Sequence, residues 1–244
     1  MYNIRPRSFG EILDTALQVF RDHFVVLAGI SAVVGIPAGM MMAVKPADHL
    51  AIPIIGILVT LVFTPVMVVA FTIAVASIYL DRPVTIGEAY RAVGSVFKPV
   101  IGTALLADLL MLLGFIALVV PGIYLVICWS LIYPVMIVEH RFGMVALRRS
   151  RQLVSGAWWK TLGIVLVAAL IADIPAVVLR MFWSSISVLG PILTATTSSI
   201  TGAYSLVVLV IYYFDRRCRI EDFDLRLLAE QIRTEGASGT PEMA

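Results

Sequence analysis

The chain has 244 residues, of which 60% are hydrophobic and only 14% are charged, and its mean hydropathy is +0.98. Soluble domains carry about 25% charged residues, so this composition excludes a soluble globular protein and predicts a polytopic membrane protein. The net charge of +2 is too small to indicate a nucleic-acid partner. Cys128 and Cys218 lack the spacing typical of a metal site or a disulfide framework.

The first predicted element is an amphipathic helix at Ser8–Phe24. Ser8 and Glu11 have the S-x-x-E spacing of a capping box, which marks a helix start. Apolar residues then recur at the i, i+3, i+4, i+7 spacing of one helical face. Because an apolar segment of lipid length follows at once, we interpret this helix as lying at the membrane surface.

Two later segments repeat this pattern. Thr85–Ile101 has its own capping box, formed by Thr85 and Glu88, and Ala146–Leu162 is a looser copy that has lost the cap. Each copy precedes a long apolar region, which favours an internal repeat of one surface helix followed by a hairpin of two spanning helices.

Six apolar segments are predicted to cross the bilayer, which takes about 20 residues each. The run Pro99–Glu139 is long enough for two of them, and we divide it at its strongest turn signal, Pro121-Gly122. The predicted spans are Phe24–Val44, a stretch within Ala51–Leu80, Pro99–Val119, Gly122–Val138, Thr161–Leu179 and Ile192–Phe214.

The predicted fold is therefore all-α, with six transmembrane helices arranged as three hairpins and with interfacial amphipathic helices. Residues 1–218 form the membrane domain, and residues 219–244 form a tail with a short amphipathic helix and a disordered end. With these spans, sixteen of the eighteen lysines and arginines lie on one side, and only Lys45 and Arg180 lie on the other. The positive-inside rule then places both termini in the cytoplasm, in a bacterial cytoplasmic (inner) membrane.

Two acids, Asp108 and Asp173, interrupt the apolar spans. An ionisable side chain within a span costs at least about 2.5 kcal/mol and normally faces a partner or a cavity. One interpretation is a proton- or cation-coupled path, with Asp108 near the middle of the membrane. The other interpretation is structural, with each acid bonded to a neighbouring helix, for example to the hydroxyl-rich start of the sixth span.

The third surface segment is strongly basic and has two tryptophans beside the start of the fifth span. Basic residues near an anionic bilayer surface contribute about 1 kcal/mol each, so the segment is a candidate contact for anionic lipid, although simple anchoring explains the same composition. The candidate residues are Arg141, Arg148, Arg149, Arg151 and Lys160.

The sequence has no nucleophile motif, no P-loop and no pair of histidines at metal-binding spacing. We therefore expect no catalytic residue, no metal, no cofactor and no enzyme activity. The expected partners are membrane lipids, and other membrane proteins or a second copy of the chain are alternatives.

Three segments carry a family resemblance: RPRSFGEILDTALQVFRDHF at the start, ALRRSRQLVSGAWWKTLG in the middle and YYFDRRCRIEDFDLRLLAE near the end. Together they resemble the glycerophosphoryl diester phosphodiesterase membrane-domain family and related bacterial integral membrane proteins. The resemblance implies a membrane fold and location. It does not imply the family's enzymatic activity, because the His-Arg-Gly and Glu-x-Asp signals of the separate phosphodiesterase barrel are missing here.

These observations favour a non-catalytic membrane protein that acts as a scaffold or accessory protein in membrane lipid or envelope processes and contacts anionic lipid. The alternative is a small proton- or cation-coupled transporter or channel that uses Asp108 and Asp173.

Overall fold

The computed structural model of the chain describes residues 5–43, 51–80, 82, 84–183 and 189–221. Within these ranges the ordered elements are nine α-helices, and the predicted all-α class is confirmed for this part of the chain. The helices are α1 (Phe9–Asp22), α2 (Phe24–Ala43), α3 (Ala51–Tyr79), α4 (Ile86–Ala117), α5 (Val119–Cys128), α6 (Ile132–Val138), α7 (Met144–Val154), α8 (Trp158–Trp183) and α9 (Gly190–Glu221).

Both predicted capping boxes are confirmed. The backbone N–H of Ser8 donates to the Glu11 carboxylate at 2.7 Å, and the N–H of Glu11 donates to Ser8 Oγ at 3.3 Å. The second box has the same reciprocal bonds between Thr85 and Glu88. These bonds satisfy backbone donors that a helix start would otherwise leave without partners.

The first surface helix, α1, buries Ile12, Ala16 and Val19 and keeps its polar face exposed. It meets α2 at a bend of 82°. The second surface segment is not a separate helix, because α4 runs without interruption through Pro99 from the capping box into the apolar region.

The turn between the third and fourth apolar segments lies at Leu118, not at Pro121-Gly122 as predicted. Leu118 is extended, with φ −167° and ψ 153°, and α5 begins at the next residue. Pro121 falls in the first turn of α5, where its fixed φ and its missing N–H are compatible with a helix. The helical segment then breaks again between Cys128 and Ile132.

The longest helix of the second half, α9, is the centre of the bundle. It packs against α1, α2, α3 and α8, and Val207, Ile211 and Tyr212 are fully buried on it. It continues through residue 218 to Glu221, so the predicted tail begins as an extension of the last span. The helix predicted farther along the tail, and Lys45 on the opposite side, lie outside the described residues.

Five segments in the described ranges are long and apolar enough to cross a membrane, or six if the bent pair α1 and α2 counts as one. They are Leu61–Tyr79, Ile86–Ala117, Val119–Val138, Trp158–Trp183 and Gly190–Glu221. The chain is thus a multi-pass membrane protein by helix length and composition, whereas the count of six spans in three hairpins stays a prediction.

Candidate functional site

A buried carboxylate, Asp215, joins three separate parts of the chain near the end of α9. Its side chain is only 1% exposed. It accepts the backbone N–H of Arg7 at 2.7 Å and the ammonium of Lys160 at 3.2 Å, and Arg219 Nε donates to it from one turn later at 3.0 Å. The segment before α1 and the start of α8 are therefore held against α9 through one acid.

A second acid, Glu139, follows α6 and is also almost completely buried. It accepts Arg149 Nε at 2.8 Å and the hydroxyl of Tyr213 at 3.1 Å. Arg149 in turn donates to Glu221, and Arg217 pairs with Glu221 at 3.0 Å across one helical turn. These contacts attach the end of α6 and the middle of α7 to α9.

Arg216 is buried but bonds to backbone carbonyls instead of an acid. Its Nε donates to the Leu153 carbonyl at 2.7 Å, and a terminal nitrogen donates to the Ser155 carbonyl at 3.2 Å. Both carbonyls lie at the C-terminal end of α7, where a helix has unpaired carbonyls and a partial negative charge. The guanidinium therefore caps α7.

We refer to the paired acids and bases at this end of the bundle, apart from the more exposed Arg141, as the ionic cluster. Burial alone would lower the pKa of the Arg149 guanidinium, but its hydrogen bonds to Glu139 and Glu221 more than offset this and raise the pKa above its usual value. Arg149 thus stays charged and holds the two acids together. The ionic cluster comprises Glu139, Arg149, Lys160, Asp215, Arg217, Arg219 and Glu221.

The five basic residues predicted to contact anionic lipid fall into two groups. Arg149 and Lys160 belong to the ionic cluster. Arg148 and Arg151 are exposed on α7, and Arg141 is exposed while its Nε lies 3.3 Å from Glu139. The second group is the more accessible to a lipid headgroup, because Arg149 is 12% exposed and Lys160 is 28% exposed and paired with Asp215.

An aromatic group lies beside the exposed arginines. The ring of Tyr124 stacks on Trp158 at 6.1 Å between centroids, and the Arg151 guanidinium lies 6.0 Å from the Tyr124 centroid. Trp158 also contacts Trp159 edge to face, and Trp159 is 78% exposed. Tryptophan and tyrosine next to basic residues are typical of a membrane–water interface.

The two acids of the apolar segments lie on different helices. Asp108 is on α4 and Asp173 is on α8, and both side chains are exposed and do not face the interior of the bundle. Asp108 follows Thr103 by five residues, and Thr103 Oγ1 accepts the N–H of Gly143 at the start of α7. At a helical rise of about 1.5 Å per residue, Asp108 lies about 8 Å along α4 from Thr103, and so from the contact with the start of α7.

The predicted hydrogen bonds between these acids and the sixth span are also not found among the described side chains. The hydroxyls of Thr196, Ser199 and Thr201 donate to carbonyls of their own helix. Ser205 forms the bond between helices instead, because its hydroxyl donates to the Ala168 carbonyl of α8 at 3.1 Å.

The ionic cluster was not among the sites predicted from the sequence. A local signal exists in the sequence, since the pattern Y-x-D-R occurs at residues 79–82 and again at 213–216. An interface anchor explains this pattern equally well. In the described part of the chain, no group of His, Cys, Asp and Glu side chains is arranged to hold a metal ion. No family model, no curated protein and no solved structure matches this chain.

Proposed function

We propose that this chain is a non-catalytic protein of a bacterial cytoplasmic membrane that serves as a scaffold or accessory protein in lipid or envelope processes and contacts anionic lipid through α7. The observation that supports this proposal is the division of the basic residues. Arg149 and Lys160 are used inside the ionic cluster, whereas Arg148 and Arg151 are exposed on the same surface segment as Trp159.

The hydrophobic residues of α7 also support a position of this helix at the membrane surface. Met144 and Val145 are exposed, while Ala146, Leu147 and Leu153 are buried against the bundle. A short helix with exposed arginines, exposed apolar side chains and a neighbouring tryptophan fits the boundary between headgroups and acyl chains. The phosphate of an anionic lipid matches the guanidinium groups in charge and in hydrogen-bonding geometry.

The test measures lipid affinity on the purified protein in neutral detergent. We expect Arg148→Gln with Arg151→Gln to weaken the binding of a short-chain phosphatidylglycerol by about 30-fold, since each basic residue contributes about 1 kcal/mol. Binding of short-chain phosphatidylcholine should change little. The matched control is Arg91→Gln with Lys98→Gln, which removes two exposed basic residues of α4. Equal losses in both double variants would reject α7 as the lipid contact.

We further propose that the ionic cluster faces the cytoplasm and that both termini lie on that side. The hydrogen bond between Arg7 and Asp215 supports a common side, because it holds the start of the chain at the same end of the bundle as the end of α9. The family resemblance implies a membrane fold and location, and it stays a proposal. The outward position of Asp108 and Asp173 does not favour a transport path between them.

A further inference from the structure

We infer that the hairpin of α4 and α5 enters the bilayer from the side that carries α7 and returns to that side without crossing. Its turn, which we call the hairpin tip (residues 115–120), would then contact the acyl chains of a single leaflet. Length and hydropathy alone class Ile86–Ala117 and Val119–Val138 as spans. The contacts of the two arms lead to a different topology.

Both arms are attached to the surface segment around α7. Thr103 Oγ1 on α4 accepts the N–H of Gly143 at 2.7 Å, and the Ser150 hydroxyl on α7 donates to the Cys128 carbonyl at the end of α5 at 2.9 Å. Three arginines on α7 keep this segment at or above the headgroups, because charged side chains are costly in hydrocarbon. These two bonds therefore mark the membrane surface on each arm.

Below these two bonds the arms are too short to reach the other side. Ten residues separate Cys128 from Leu118, which corresponds to about 15 Å along a helix. Fourteen residues separate Thr103 from Ala117, which corresponds to about 21 Å. The hydrocarbon core alone is about 30 Å thick, and any tilt of the arms reduces their depth further.

The length of helix α8 can be compared with the depth that the hairpin reaches. Its first residue, Trp158, stacks on Tyr124 of α5, so the two residues lie at one level. From that level α8 continues for 25 residues to Trp183, about 38 Å. Only six residues lead from Tyr124 to Leu118, about 9 Å. The hairpin therefore ends well short of the far end of α8.

The composition of the hairpin tip agrees with a position inside the hydrocarbon. The segment Gly114–Gly122, GFIALVVPG, has no polar side chain. Leu118 is 69% exposed and Val120 is 76% exposed. The far end of α8 instead carries Arg180 in its last turn, as expected where a helix reaches water.

The backbone at the turn is also suited to an apolar medium. The N–H of Leu118 donates to the Gly114 carbonyl at 3.1 Å, and its carbonyl accepts the N–H of Gly122 at 3.3 Å. Pro121 has no N–H that would need a partner. The single non-helical residue therefore has both backbone groups paired, which reduces the cost of burying the turn in lipid.

Cysteine labelling tests this topology in a background with both native cysteines replaced by alanine. Leu118→Cys and Val120→Cys place a thiol on the hairpin tip, where the native side chains are exposed. Arg148→Cys marks the side of α7, and Leu189→Cys, just before α9, marks the opposite side. Each variant is treated with a membrane-impermeant maleimide in sealed vesicles of both orientations.

We expect the impermeant reagent to label Arg148→Cys from one side only and Leu189→Cys from the other side only. Both tip variants should stay at background labelling from either side. Because maleimides react with the thiolate, which does not form in hydrocarbon, a bimane maleimide is attached to the tip variants in detergent and the labelled protein is then returned to vesicles. Nitroxides on the acyl chain should then quench the bimane more strongly than headgroup nitroxides. Labelling of the tip from the Leu189 side would show that the hairpin crosses, and labelling from the Arg148 side would place the tip outside the hydrocarbon. Either result overturns the inference.

Discussion

At the scale of single residues, Asp215 connects three parts of the molecule, because its carboxylate accepts donors from the start of the chain, from α8 and from its own helix. Removing one member of a buried ion pair costs more than the pair contributes, since the remaining charges stay in a medium of low dielectric. The partners Lys160 and Arg219 are 28% and 39% exposed, so solvent reduces this cost below that of a fully buried pair.

We therefore predict that Asp215→Asn destabilises the protein by about 2 kcal/mol, which is less than the loss for a fully buried pair. For a chain of this length, that corresponds to a fall in melting temperature of about 4–8 °C. Thermal unfolding of the purified protein in detergent measures the change. Asp14→Asn, which alters an exposed acid of α1, is the control and should have almost no effect. Equal melting temperatures for the two variants would show that Asp215 is not a stabilising centre.

Which residue contacts were predictable depends on how far apart the partners lie in the sequence. The capping boxes join residues three positions apart, so the sequence shows both partners together. The bond from Arg7 to Asp215 joins residues 208 positions apart, and the bond from Tyr213 to Glu139 joins residues 74 apart. Such partners meet only after the helices pack, which a single sequence does not reveal.

At the scale of the helices, the arms of the α4–α5 hairpin approach closely because glycines lie between them. A Cβ atom at Gly122 would lie 2.4 Å from Cδ1 of Phe115, and one at Gly114 would lie 2.8 Å from Cδ1 of Leu125. Contacts this short require a neighbouring side chain to move. The glycines therefore allow the arms to pack side by side, and the ring of Phe115 occupies the space that a side chain at position 122 would need.

We predict that Gly122→Ala lowers stability by about 1 kcal/mol, because overpacking against Phe115 costs about 2 kcal/mol and the helix propensity of alanine recovers about 1 kcal/mol. Thermal unfolding in detergent measures this loss. The matched control is Gly94→Ala, also in a helix, where a Cβ meets nothing within 4 Å. That change should be neutral or stabilising, since alanine favours a helix.

A second substitution tests whether the steric contact with Phe115 causes the loss of stability in Gly122→Ala. Phe115→Ala removes the ring that a side chain at position 122 would contact. If crowding is the cause, the loss from Gly122→Ala should nearly disappear when Phe115→Ala is already present, which is a coupling between neighbouring sites. Purely additive losses would contradict this account of the hairpin.

The prediction of helices from sequence succeeded where the pattern was local and failed at junctions. The apolar runs located the long helices, but α8 is longer than its predicted span by several residues at each end. The turn at Leu118 was placed too late, because Pro-Gly is a strong turn signal in isolation. In this hairpin the same proline lies in the first turn of α5, and the glycine lies at the contact with Phe115 of α4.

At the scale of the whole molecule, the ionic cluster and the exposed arginines of α7 lie at one end of the bundle, and Arg180 lies near the other end of α8. The bond from Arg7 to Asp215 places the start of the chain at the cluster end. In our proposal, the positive-inside rule places that end in the cytoplasm. A hairpin that returns to its own side leaves this assignment unchanged, because both arms begin and end at the same surface.

We therefore predict that reporters at both termini behave as cytoplasmic proteins. A fluorescent protein fused to either end should be fluorescent in a bacterial host, and alkaline phosphatase at the same positions should be inactive, because it folds only after export. As an independent check, the impermeant maleimide should label Arg148→Cys in inverted vesicles and Leu189→Cys in intact spheroplasts. Active phosphatase at the C-terminus, together with labelling of Arg148→Cys from outside, would reverse the orientation. The contacts within the ionic cluster would remain the same in either orientation, so this result would overturn the assignment of sides and not the fold.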